Sequence, residues 1–226
     1  MFDGFYLFEW ILMGLGVILF IALVIGFFYQ LTHKRSIVGL LAFFVLDVLM
    51  IGYPSVQSFQ INNGVISVEK QTDAVLSNPS NTKARQDLQQ QVEKLQNRQF
   101  SDPAILASLS KAEYVLGNDQ AAKETLSKAV QKNPELPAAK DLQTKMDDVA
   151  QLDSLTARVK NNPADEQAKA QLSQALNTVA QQRVANPSAL LTIARAQAAL
   201  GDHANAEKTT AVVQKINPKL AKTIPH

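Results

Sequence analysis

Residues 74–136 match residues 158–220 at a constant offset of 84, and the match needs no gap. Asn78-Pro79 recurs as Asn162-Pro163, Pro103 as Pro187, Leu116-Gly117 as Leu200-Gly201 and Asn133-Pro134 as Asn217-Pro218. Leu106, Ala122 and Leu136 recur as Leu190, Ala206 and Leu220. Low-complexity helical sequence can match itself by chance in Ala, Gln and Leu, but it does not keep Gly and Pro in step. The chain therefore contains a tandem duplication, and a repeat of this kind builds a fold by stacking one supersecondary unit on its copy.

The punctuation inside each copy predicts helices. Gly117 and Gly201 suit the left-handed conformation that ends a helix. Asp119 and Asp202 are read as caps for the helices that follow. Asp102-Pro103 and Asn186-Pro187 read as an N-cap followed by proline at the first helical position. Asn-Pro at 133–134 and 217–218 stops the second helix of each pair. Apolar spacing predicts further helices over Lys83 to Asn97, for example at Leu88, Val92 and Leu95, and over Glu166 to about Arg183. Ala138 to Lys160 reads as one longer helix. Its counterpart, Val56 to Ser77, contains Asn62-Asn63-Gly64, where a break is expected. A polar tail is expected from Lys219 to His226.

Each copy resembles a tetratricopeptide repeat. Gly117 is followed by Ala122, Leu126, Ala129 and Pro134, and Gly201 by Ala206, Thr210, Val213 and Pro218 at the same steps. Leu106, Leu109 and Ser110 fill the first-helix positions upstream, as do Leu190, Ile193 and Ala194 in the second copy. The resemblance covers about 103–136 and 187–220. It implies an all-α fold in which residues 57–226 form an α-solenoid of roughly seven or eight helices with a concave binding face. The inward positions it implies are Ala104, Ala107, Lys111 and Tyr114, then Ser188, Leu191, Arg195 and Ala198.

The first part of the chain has a different character. Phe5 to Leu31 is one apolar run, broken only by Glu9 and Gln30 near its ends, and about 20 apolar residues span a bilayer. A second run extends from Ile37 to about Val56, interrupted by Asp47. The five residues Thr32-His33-Lys34-Arg35-Ser36 join the two, so residues 1–56 are expected to form an antiparallel transmembrane hairpin. A cleaved signal peptide fits less well, because Met1 to Gly4 carries no Lys or Arg and the run exceeds a usual signal core. Lys34 and Arg35 in the connection make it cytoplasmic by the positive-inside rule. Both termini would then be extracytoplasmic, in a bacterial inner membrane on the periplasmic side, with Tyr6, Trp10 and Tyr53 near the outer interface. Asp47 would sit within the hydrocarbon, where a carboxyl is costly and faces protein or water.

Composition narrows the chemistry. The chain has no cysteine, which excludes thiol catalysis, disulfides and Cys-based metal sites. A formal charge of +2 with interspersed signs offers no basic stripe for nucleic acid. The histidines, His33, His203 and His226, stand apart, and no phosphate-binding glycine loop is present. Asp147, Asp148 and Asp153 read as a solvated helix face. The expectation is a non-enzymatic protein without cofactor, metal or small-molecule substrate, whose partners are the lipid bilayer and other proteins.

Three functional readings follow. The first is a docking scaffold in which Lys111, Tyr114, Leu191 and Arg195 contact a partner, the two cations gripping carboxylates. The arrangement looks like the membrane-anchored periplasmic tetratricopeptide factors, including those of c-type cytochrome maturation, and that resemblance implies a role in complex assembly. The second is an accessory subunit of a larger membrane complex, with Asp47, Gly14, Gly16 and Gly26 at interhelical contacts. The third is a transport component using Asp47.

Overall fold

The computed structural model describes residues 7–33 and 38–221, and among them all regular structure is helical. The helices are α1 (Leu7–His33), α2 (Val38–Ser77), α3 (Thr82–Gln96), α4 (Pro103–Leu116) and α5 (Asp119–Lys132). They continue as α6 (Pro137–Asn161), α7 (Glu166–Ala180), α8 (Pro187–Ala199), α9 (His203–Ile216) and the short α10 (Pro218–Ala221). The chain divides into two compact units. One comprises Met1–Gly64 with Asn97–Ser101, and the other Val65–Gln96 with Asp102–His226.

In the first unit, α1 exposes nearly all of its apolar surface. Phe8, Ile11, Leu15, Ile18, Ile21, Ile25 and Phe28 are each exposed, and Trp10 lies on the same open surface. The stretch Trp10–Tyr29 has 20 residues and a mean hydropathy of 2.9. At a rise of about 1.5 Å per residue it is about 30 Å long, the thickness of a hydrocarbon core. Among the described residues it is the one helix long and apolar enough to cross a membrane. The apolar start of α2 is helical and also exposes Phe43, Phe44, Val48 and Leu49. Tyr6 and the connection at Lys34, Arg35, Ser36 and Ile37 lie outside the described residues, as does the tail beyond Ala221. The side chains of Glu9, His33 and Tyr53 do so too.

The expected break at Asn62-Asn63-Gly64 does not occur. α2 runs without interruption for 40 residues through that sequence. Polar and glycine residues lower helix propensity by less than about 1 kcal/mol each, and a long helix anchored on both sides absorbs this. Ile61 on one side and Val68 on the other are buried, which holds the backbone helical across the weak segment.

In the second unit, helix boundaries repeat at the sequence offset of 84. α3 corresponds to α7 from first residue to last, and α5 to α9; α4 and α8 share their proline start. Gly117 and Gly201 have φ of 91° and 83°, the left-handed values expected of them. The caps also repeat. Asn81 and Asp165 accept from the backbone N–H of Ala84 and Ala168 at 3.1 and 2.8 Å. Asp102 and Asn186 cap α4 and α8. One expected cap is corrected: Asn118 occupies the N-cap position of α5, and Asp119 is the first helical residue. Asp202, the equivalent of Asn118, does cap α9 through the N–H of Asn205.

The equivalence reaches further upstream than the sequence match. Val68 and Leu152 are both fully buried, and the buried Thr72 and Thr156 both donate to the carbonyl four residues earlier, each at 2.7 Å. The Val68–Ser77 end of α2 is therefore the counterpart of the second half of α6. Neighbouring helices pack in antiparallel pairs, α4 with α5, α6 with α7 and α8 with α9, while α6 also packs on α8 and touches α4. The second copy's core gathers Leu152, Val159, Leu172, Val179, Leu190, Ile193 and Val213. Each such side chain contributes about 1.5–3 kcal/mol by leaving water.

Candidate functional site

α4, α6 and α8 present one side of the second unit to a cleft of about 630 Å³. Tyr114 of α4 and Leu191 and Arg195 of α8 line it. Met146, Val149 and Asp153 of α6 form another part of its wall, with Asp119 and Lys123 of α5 and Leu220 of α10 beyond. Leu191 is buried and provides a packed apolar floor. Burial and the nearby Asp119 carboxylate push the Tyr114 phenol well above its ordinary pKa, so it is a neutral hydroxyl at any physiological pH.

Lys111 occupies a second, smaller cleft of about 250 Å³ with Glu69, Asp73, Ala107, Ser108 and Ala138. Its Nζ lies 3.4 Å from Asp73, and Ser108 donates to Glu69 at 2.8 Å. The two clefts are equivalent under the duplication. Glu69, Ala107, Ser108 and Lys111 correspond to Asp153, Leu191, Thr192 and Arg195, all on the wall of the larger cleft. A carboxylate, a hydroxyl and a cation thus recur on the same face. Asp73, however, corresponds to Ala157, so the acid that meets Lys111 is not repeated in the second copy.

The volume of the larger cleft falls in the range of ordinary ligand sites, about 300–1,000 Å³. Its lining carries Asp119 and Asp153 against Lys123 and Arg195, so it has no net charge preference. An apolar floor with polar groups of both kinds at its edge suits an amphipathic segment with one or two apolar side chains. Asp153, read from sequence as part of a solvated face, belongs to this site. The signal for it was the offset to Glu69, visible only once Glu69 was seen to face Ser108.

Asp47 is placed elsewhere, in the first unit. It is 1 % exposed, and among the described residues its Oδ1 has no hydrogen-bond partner. Gly16 is buried, whereas a Cβ added at Gly14 would meet nothing within 4 Å among the described residues. Among the described residues, no group of three or more His, Asp or Glu is placed to hold a metal ion. Comparison with family models, with curated proteins and with solved structures finds no match for this chain.

Proposed function

We propose that this chain is a membrane-anchored docking protein: the N-terminal hairpin fixes it to a bacterial inner membrane, and a tetratricopeptide-like solenoid on the periplasmic side binds an extended segment of a partner protein. The cleft shared by Tyr114, Leu191 and Arg195 carries this reading, because residues from both copies converge there on an apolar floor with polar edges. The exposed apolar length of α1 supports the anchor. A cleft of this kind supports partner contact, the role of a non-enzymatic assembly factor for an envelope complex such as cytochrome c maturation.

Photo-crosslinking tests the reading. A photoreactive residue in place of Ser188 or Leu191 should capture the same partner, at the same site on that partner, while one in place of the exposed Lys208 of α9, outside the cleft lining, should not. Arg195→Glu combined with Lys111→Glu should weaken that partner at least about tenfold, the loss of one charge-assisted contact. Equal crosslinking from inside and outside the cleft, or unchanged affinity in the double reversal, removes the proposal. The cysteine-free sequence makes topology equally accessible to test: a single cysteine in place of Ser127 should react with an impermeant maleimide added outside the inner membrane.

Asp47 favours a second reading as a permanent subunit of a membrane complex or a transport component. A buried carboxyl oxygen without a partner is costly and marks a place where a contact is met or a proton is held. Asp47→Asn should then abolish complex assembly or transport; full retention of both excludes this reading.

A further inference from the structure

Arg85 on α3 is buried to 9 % exposure, and its guanidinium is tied to three backbone carbonyls from separate parts of the chain. Nε donates to Pro79 at 2.9 Å, Nη1 donates to Val115 at 3.2 Å, and Nη2 donates to Ala185. These bonds use three of its five N–H groups. Among the described residues it forms no ion pair, and desolvation alone lowers its pKa to about 10. A buried charge is ordinarily paired with an opposite charge, because carbonyl dipoles offset only part of the cost of leaving water.

The duplication shows what is missing. Arg85 corresponds to Lys169, whose Nζ lies 2.7 Å from Glu166 one turn earlier on α7. Glu166 corresponds to Thr82, so in the first copy the acid is replaced by a neutral hydroxyl while the cation is kept and driven inside. Arg85 also lines a pocket of about 280 Å³ between the copies, whose other polar lining includes Thr82, Gln86, Gln89, Asn118 and Asn217. Among the described residues, no aspartate or glutamate lines it. Hydroxyls and side-chain amides can all donate to an anion, and a pocket just under the usual ligand range suits a small group.

We infer that the pocket beside Arg85 and Thr82 binds a small anion, a phosphate-type oxyanion or a carboxylate, which supplies the charge that Glu166 supplies in the second copy. The site is separate from the peptide cleft and joins segments of both copies, so its occupancy would also tighten the junction between them. It accounts for the retention of a buried arginine at a position where the other copy has a half-buried lysine.

The test is titration of the full-length protein in detergent with sodium phosphate and, separately, sodium acetate. Ionic strength is held constant with sodium chloride, and the midpoint of thermal unfolding is followed. Phosphate or acetate should raise the midpoint saturably beyond the chloride control, and whichever acts at lower concentration identifies the anion class. Thr82→Glu restores the acid of the second copy inside the pocket and should weaken the effect at least about tenfold. Thr82→Gln, similar in size and neutral, should retain it. These two variants change an exposed residue and leave the Arg85 bonds in place, so loss of folding does not confuse the result. The inference is overturned by an absent saturable effect in the native protein, by full binding in Thr82→Glu, or by equal loss in both variants.

Discussion

The two copies of the duplicated unit share helix boundaries and caps, yet they differ at the positions where they meet. Asp102 caps α4, whereas its counterpart Asn186 caps α8 and also donates across the junction. The Asn186 Nδ2 reaches the Tyr114 carbonyl at 2.7 Å and the Asp119 carboxylate at 2.6 Å. Arg85 bridges three segments, while Lys169 makes a surface ion pair. A Cβ on Gly117 would come within 3.0 Å of Pro187, whereas one on Gly201 would meet nothing within 4 Å among the described residues. Equivalent sequence positions therefore carry shared duties within a copy and individual duties between copies.

Mutating the equivalent positions in parallel breaks or sharpens this contrast. The largest difference is expected at Arg85. Arg85→Leu leaves three carbonyl oxygens without their donor, at about 1–3 kcal/mol for each that stays dry, so a loss of about 3–5 kcal/mol is expected. Lys169→Leu should change stability by no more than about 0.5 kcal/mol, as for other exposed pairs. Urea unfolding of the full chain in detergent, followed by circular dichroism at 222 nm, compares them; similar losses would mean that Arg85 does not bridge the copies. Next comes Asn186→Ala, which removes a cap and two crossing bonds and should cost about 2–3 kcal/mol, against about 1 kcal/mol for Asp102→Ala.

The glycines should differ by less. Both Gly117→Ala and Gly201→Ala force a side chain into left-handed backbone, at about 1–2 kcal/mol. Gly117→Ala must in addition displace Pro187 and should lower the thermal midpoint by several degrees more. Equal midpoints would show that the turn moves freely away from the second copy.

The smallest effect concerns a buried acid. Glu113 is 4 % exposed, its Oε2 has no hydrogen-bond partner among the described residues, and Thr125 bonds its carboxyl. The same pair recurs as Gln197 and Thr209, with the Thr209 hydroxyl donating at 2.9 Å. Burial raises the Glu113 pKa, partly offset by Thr125 and Lys128, while Glu124 adds to the rise. The folded chain thus holds this proton to higher pH than the unfolded chain does. Stability from the protonated form is present below the unfolded value and is lost as pH rises through the folded one. Glu113→Gln should therefore stabilise by about 1 kcal/mol at neutral pH and remove this loss, and Gln197→Glu should introduce it. Unfolding measured between pH 4 and 8 separates the outcomes; identical pH profiles for native and Glu113→Gln chains would show that the carboxyl is solvated.

Much of the helical layout is legible in the sequence. Proline at the first helical position, glycine after the last turn and Asn-Pro beyond act through local sterics and backbone hydrogen bonds, so they identify helix ends wherever the helix is packed. The break expected at Asn62-Asn63-Gly64 failed because burial at Ile61 and Val68 on either side outweighs a weak local preference. The Asp119 cap failed for a different reason. Two neighbouring polar residues can both serve as caps, and the crossing bond from Asn186 draws the Asp119 carboxylate elsewhere. Of the residues expected to face a partner, Tyr114, Leu191 and Arg195 share one cleft, while Lys111 lies in the equivalent one against Asp73.

The sequence by itself determined the helical repeat, its period and the presence of a segment long and apolar enough for a bilayer. These follow from patterns that act within a few residues or that repeat in register. Only the tertiary structure decided which polar groups go inside. Arg85 and Glu113 look like ordinary surface residues and Asn186 like a simple helix cap, yet all three are buried, and Arg85 and Asn186 are held by chain segments up to a hundred residues away. The cost of burying a charge or an amide is set by the partners that folding brings to it, and no local pattern records those partners.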